Sequence, residues 1–149
     1  MTSNSQFKCN KVMVIDDNKI DLFIINKIIE RTYFSKEVLT CQSAKEALDH
    51  LSNQNIIAEE VPSVIFLDIN MPEMNGFEFL DAFAQLNSTL INNIAVIMLT
   101  SSQNPEDIQK ANDNPYVVFY LHKPLTIAKL DAIDVASLTK AKSASLFSV

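Results

Sequence analysis

Five short apolar runs, each bounded by polar residues, set what this chain can become: Lys11–Ile15, Val38–Cys41, Val64–Leu67, Ile94–Leu99 and Val117–Tyr120. Each is the length of a strand. Three of them run on without apolar–polar alternation, the pattern of strands covered on both faces, as in a parallel sheet. Between the runs the apolar residues switch to helical spacing. Ile20, Phe23, Ile24 and Ile28 form one stripe, Ala44, Ala47, Leu48 and Leu51 a second, and Phe77, Leu80 and Ala84 a third. Ser43 with Glu46 reads as a capping box, and Asn18 with Asp21, and Asn104 with Pro105 and Asp107, as looser helix starts. A last helix is expected from Thr126 to about Leu138. The alternation βαβαβαβαβα, wound by right-handed crossovers, predicts a doubly wound α/β fold with five strands and five helices.

At 149 residues and 48% hydrophobic content, the chain suits one compact domain. The expected division is an N-terminal extension over 1–10, the domain over 11–138, and a Ser-, Ala- and Lys-rich tail over 139–149, in which Leu146 and Phe147 have no evident home. Twelve basic and eighteen acidic side chains leave a net charge of -6, the wrong sign for binding nucleic acid or an anionic membrane. The longest purely apolar run, Ile94–Leu99, is far too short to span a bilayer, and Met1–Asn10 is too polar for a secretory signal, so a cytoplasmic location is expected. Cys9 and Cys41 lack the spacing of a metal or redox site and read as free thiols. Gly76 is the only glycine. That excludes Gly-rich phosphate-binding loops and argues against tight two-residue hairpins.

In an open α/β sheet, ligands bind beyond the carboxyl ends of the strands. At those ends stand Asp16-Asp17 after the first strand, Asp68-Ile69-Asn70-Met71-Pro72 after the third, Thr100-Ser101-Ser102 at the fourth and Leu121-His122-Lys123-Pro124 at the fifth. If the first and third strands are neighbours, their ends sit about 5 Å apart and Asp16, Asp17 and Asp68 converge. Such a cluster needs protons or a cation, and an all-oxygen set suits Mg²⁺ better than zinc. With the Lys123 ammonium and the Thr100 hydroxyl at the same rim, this is a phosphoryl-handling inventory in which a carboxylate acts as nucleophile. Taken singly, Asp16-Asp17 reads equally as a helix start, Asp68 as a turn residue, Lys123 as a solvated side chain, Tyr120 as core packing and His50 and His122 as surface histidines. Joint placement after four strands on one edge favours the site.

The acidic pair Asp16-Asp17, the Asp68-to-Pro72 run, Thr100 closing the fourth strand, Tyr120 in the fifth and Lys123-Pro124 together resemble a receiver domain of the response-regulator family of two-component signalling. The resemblance covers Lys11 to Leu138 and implies the flavodoxin-like strand order 2-1-3-4-5. It further implies that Asp68 is the phosphoacceptor, taking a phosphoryl group from a phosphohistidine on a sensor histidine kinase or histidine phosphotransfer protein. Asp17, directly or with Asp16 through water, would hold Mg²⁺ (or Mn²⁺), joined by Asp68 and the Asn70 backbone carbonyl. Lys123 would pair with phosphoryl oxygens, its bond to Pro124 would be cis, Thr100 would hydrogen-bond the phosphoryl group and Tyr120 would swing inward behind it.

The surface expected to change is the fourth helix (Pro105 to Asn114, anchored only by Ile108 and Ala111), the fifth strand and the last helix. A homodimer through that face would use Ile127, Leu130, Ile133, Val135 and Leu138. With no output domain of its own, the chain is expected to signal to an unknown downstream protein and not to act as a turnover enzyme. Three positions depart from the family pattern: Asn112–Tyr116 where glycine is usual, Ser101 where a very small residue is usual, and Leu125 in place of an aromatic. The alternatives are a phosphatase related to haloacid dehalogenases, which needs an acid where Asn70 stands, and a receiver-like module that is never phosphorylated.

Overall fold

The computed structural model describes residues 6–136 and Leu138. Five strands, β1 (Cys9–Ile15), β2 (Ser35–Cys41), β3 (Val64–Leu67), β4 (Ala95–Thr100) and β5 (Val117–His122), form one parallel sheet in the order β2-β1-β3-β4-β5. Neighbouring residues of each central strand enter opposite cores. Met13, Ile15, Ile65, Leu67, Val96 and Met98 pack on one side, and Val12, Val14, Val64, Phe66, Ile97 and Leu99 on the other. Burial on both faces is why these strands are apolar throughout.

The helices are α1 (Lys19–Arg31), α2 (Ala44–Leu51), α3 (Gly76–Phe83), α4 (Ser88–Ile91), α5 (Pro105–Asp113) and α6 (Ile127–Asp131), with a 3₁₀ turn at Ala58–Glu60. The expected fourth helix is α5, because the segment before β4 adds the single turn α4, capped by Asn87 on the Thr89 amide. Helices α2 and α3 cover the first core and α1 and α6 the second.

Four expectations are corrected. First, α1 buries Leu22, Ile25 and Ile29, while Ile20, Phe23 and Ile24 are 70%, 62% and 44% exposed. The helix carries apolar residues on two faces with the same spacing, so periodicity alone does not choose between them. Second, in α3 the core positions are Phe79, Leu80 and Phe83, with Phe77 and Ala84 on the shoulder. Third, the last helix breaks after Asp131, and helical backbone returns only at Val135. Lys8 Nζ donates to the carbonyls of Asp131 and Ile133, each at 3.1 Å, satisfying acceptors that the break releases. Fourth, β1 starts at Cys9, inside the expected extension, because Cys9 pairs with Ser35. The ring of Phe7 also packs against Tyr33. Cys9 and Cys41 are free thiols, and burial pushes Cys41 up to about 12. The tail 139–149, with Leu146 and Phe147, lies outside the described residues. Among the described residues no helix is long and apolar enough to cross a membrane.

Candidate functional site

Strand register builds the acidic pocket. Ile15 pairs with Leu67, so Asp16 and Asp68 leave adjacent strands side by side, and the Asp68 amide donates to the Ile15 carbonyl at 3.0 Å. Asp16 and Asp68 are buried, at 2% and 7% exposure, and Asp17 faces solvent. One carboxylate oxygen from each lies within 4.8 Å of the others. Burial first, and then the charge of Asp16, push the Asp68 carboxyl up to about 6 from its ordinary 3.8, against the pull of Lys123.

Asp16 serves the helix start and the pocket together. One of its oxygens accepts from the Asn18 amide at 2.9 Å, while the other accepts from Lys123 Nζ at 2.7 Å. Lys123 Nζ also donates to Asp21 at 2.8 Å and stands 3.7 Å from Asp68 Oδ2. Burial alone would lower the Lys123 ammonium, but its bonds to Asp16 and Asp21 outweigh that and hold it above the ordinary lysine range. The Lys123–Pro124 peptide is cis, and the Lys123 amide donates to the Thr100 carbonyl at 2.9 Å. Lys129 Nζ ties the loop down from α6, reaching the carbonyls of His122 and Pro124 at 2.7 and 2.9 Å.

At the end of β4, Thr100 is fully buried and its Oγ1 accepts from the Ser102 amide at 3.1 Å. Tyr120 already lies inward, with its hydroxyl donating to the Ser102 carbonyl at 3.1 Å. The expected inward swing is therefore not a movement away from an outward resting position in this structure. Ser102 Oγ donates to Asp107 on α5 at 2.6 Å, so Ser102 links Thr100, Tyr120 and α5. His122 departs from expectation: it is half-buried, with its ring edge-on to Tyr120 at 5.5 Å and Nδ1 without a hydrogen-bond partner among the described residues. Asn70, at the rim, is exposed.

Two residues gain a place at the site that sequence reasoning missed. Gly76 opens α3 against the acidic loop: its amide donates to the Ile69 carbonyl at 2.8 Å, and a Cβ there would lie 2.6 Å from the Asp68 carbonyl oxygen. Space, not an unusual dihedral angle, demands glycine. Asp21, read as part of a helix start, directs its carboxylate to Lys123 instead, while Asn18 Oδ1 alone accepts from the Ile20 and Asp21 amides. Its position one turn after Asp17 was the available signal.

A parallel sheet in this order, with three carboxylates, a lysine and a hydroxyl gathered at its carboxyl edge, defines a flavodoxin-like α/β domain of the receiver type. The family model for the response regulator receiver domain matches residues 12–133, and the chain belongs to that family of two-component signalling proteins. A crystal structure of a two-component response regulator from Cytophaga hutchinsonii superposes with a TM-score of 0.77 at 34% identity, covering 88% of this chain and 96% of that one. The chain is 29% identical to a probable methanogenesis regulatory protein, FilR2, of Methanothrix harundinacea over 80% of its own length and 75% of the relative's. It is 27% identical to stress response regulator protein 1 of Candida albicans, of which it spans only 37%.

Proposed function

We propose that the protein accepts a phosphoryl group on Asp68 from a phosphohistidine of a sensor kinase or phosphotransfer protein. The observation that carries this reading is a buried carboxylate pushed up to about 6, with two further carboxylates within 4.8 Å and an ammonium 3.7 Å away. In the transfer an Asp68 oxygen attacks phosphorus, the phosphorus–nitrogen bond breaks, and the released imidazole nitrogen takes a proton from solvent. Lys123, already charged at the rim, meets the phosphoryl oxygens.

The three carboxylates lack sufficient counter-charge and present only hard oxygen donors, with an open side at Asp17; that set fits Mg²⁺ or Mn²⁺. Asp16, Asp17, Asp68 and the Asn70 backbone carbonyl would hold the ion, which when bound supplies positive charge against the carboxylates and the incoming phosphoryl group.

Thr100 is the group that senses the product. Its oxygen accepts from the Ser102 amide, so donating its O–H to a phosphoryl oxygen pulls on Ser102, which is also held by Tyr120 and by Asp107 of α5. A change at Asp68 thus reaches β5 and α5 through one residue. Helix α5 is weakly docked, with Ala111 its only fully buried side chain, which suits it to move. The surface formed by α5, β5 and α6 is the proposed output. A homodimer there has a small apolar footprint, because Leu130, Ile133 and Leu138 lie in the protein's own core and Ile127 is 47% exposed. The phosphodonor is proposed to dock instead over Ile20, Phe23 and Ile24, beside the pocket. On this reading the protein works in the cytoplasm and is not a turnover enzyme. Asn70 cannot exchange a proton as the second acid of a haloacid-dehalogenase-like phosphatase does.

The test is incubation with acetyl phosphate and Mg²⁺ followed by intact mass measurement. One added phosphoryl group, lost in Asp68→Asn, is expected. Steady phosphate release from small esters, or no adduct, overturns the proposal.

A further inference from the structure

We propose that Asp21 is a positioning residue for phosphoryl acceptance: it holds the Lys123 ammonium back from Asp68, so that the nucleophile stays open and Lys123 waits where phosphoryl oxygens arrive. The inference rests on the reading of Asp68 as phosphoacceptor. Asp21 is not needed to cap α1, since Asn18 Oδ1 already accepts from the Ile20 and Asp21 amides at 2.9 and 3.1 Å. Its carboxylate instead reaches across the rim to a lysine from the far end of the chain. An ammonium has three N–H donors. Two are used, on Asp16 at 2.7 Å and on Asp21 at 2.8 Å, and Asp68 Oδ2, at 3.7 Å, is beyond a hydrogen bond.

Remove the Asp21 anchor and Lys123 keeps Asp16, while the freed N–H has Asp68, 3.7 Å away, as its next carboxylate. A direct pair would cover the attacking oxygen with the cation that is meant to meet the product. With Asp21 in place, an acyl phosphate on Asp68 extends its oxygens into the gap that Lys123 leaves, and the third N–H is available without breaking either existing bond.

The probe is beryllofluoride with Mg²⁺, titrated into the full chain and followed by amide NMR spectra, with Mg²⁺ alone titrated in parallel. Asp21→Asn is expected to weaken beryllofluoride binding roughly tenfold, the loss of one charge-assisted hydrogen bond. Asp21→Glu is expected to restore most of it, and Mg²⁺ affinity alone to change by less than about threefold, the effect of one charge at a partly exposed rim. Asp21→Ala provides a second removal if the amide variant folds poorly. Binding as tight as in the unaltered protein overturns the inference, as does an equal fall in Mg²⁺ affinity, which would assign Asp21 to the ion and not to Lys123. If the unaltered protein fails to bind beryllofluoride, or Asp68→Asn binds it equally, the phosphoacceptor reading falls and this inference with it. A failure confined to the Asp21 variants leaves that reading standing.

Discussion

The charge on Asp68 works against the fold when no cation is bound, and that cost is measurable. The carboxyl titrates at about 6 in the folded protein against an ordinary 3.8, because burial and Asp16 disfavour its ionised form. A group whose folded value is raised binds its proton more tightly in the native state. Its contribution to stability is therefore intact below about 3.8 and is lost as pH rises through about 6. A rise from 3.8 to about 6 corresponds to about 3 kcal/mol at full ionisation. Asp68→Asn keeps the shape and removes the charge. In chelator it should unfold in urea with about 3 kcal/mol more stability than the unaltered protein near pH 7.5, but with only about half a kcal/mol more near pH 4. Adding Mg²⁺ should narrow the difference near pH 7.5. An Asn variant no more stable near pH 7.5, or equally stabilised near pH 4, would refute the claim that Asp68 is held charged at a cost.

Three further outcomes rest on particular contacts, and a fourth on the proposed ion. Gly76→Ala places a methyl 2.6 Å from the Asp68 carbonyl oxygen, against backbone that cannot easily give. It should cost about 1–3 kcal/mol in urea unfolding and slow labelling by acetyl phosphate. Phe23→Ser removes a ring that is largely exposed, so stability should stay within about 0.5 kcal/mol, while transfer from a phosphohistidine protein slows and labelling by acetyl phosphate does not. Ile25→Ala, on the opposite face of the same helix, should cost about 2–5 kcal/mol and affect both donors alike. Mg²⁺ at a hundred times its dissociation constant should stabilise the protein by about 2.7 kcal/mol near neutral pH, an effect that Asp17→Asn reduces.

How far these features were legible depended on the distance over which each is decided. The unbroken apolar runs of β3 and β4 marked doubly covered strands, because burial on both faces leaves no polar position to hide them. The openings of β1 and β2 were missed, since Cys9, Asn10, Ser35 and Lys36 are held by backbone pairing at an edge where side chains need not be apolar. The carbonyls released at the break in the last helix are met by Lys8, which arrives from the other end of the chain. The stripe that spacing picks out on α1, Ile20, Phe23, Ile24 and Ile28, is the wrong one for a different reason: both faces are apolar, one for the core and one left in solvent. At the site, the acids after β1 and β3 were visible because strand ends line one edge in any parallel sheet. Asp21 was not, because a first-turn acid beside a helix cap is ordinary until its partner on a distant loop is known.

The resting pocket is a set of charges that are unequally satisfied. Asp16 and Asp21 share the lysine through hydrogen bonds, and Asp68 has the Ile69 amide and the longer 3.7 Å approach of Lys123. Whatever settles Asp68 settles the pocket, whether a proton near pH 6 or, on the proposed reading, a cation or a phosphoryl group. Only the phosphoryl group adds new acceptor oxygens at the rim, and so only it draws on the Thr100 O–H, whose oxygen accepts from the Ser102 amide. The pocket thereby separates charge compensation from signalling. Thr100→Ala should abolish the response of α5 and β5 amides to beryllofluoride while leaving Mg²⁺ affinity intact. Chemical shift changes across Pro105–His122 as large as in the unaltered protein would show that the signal leaves the pocket by another route.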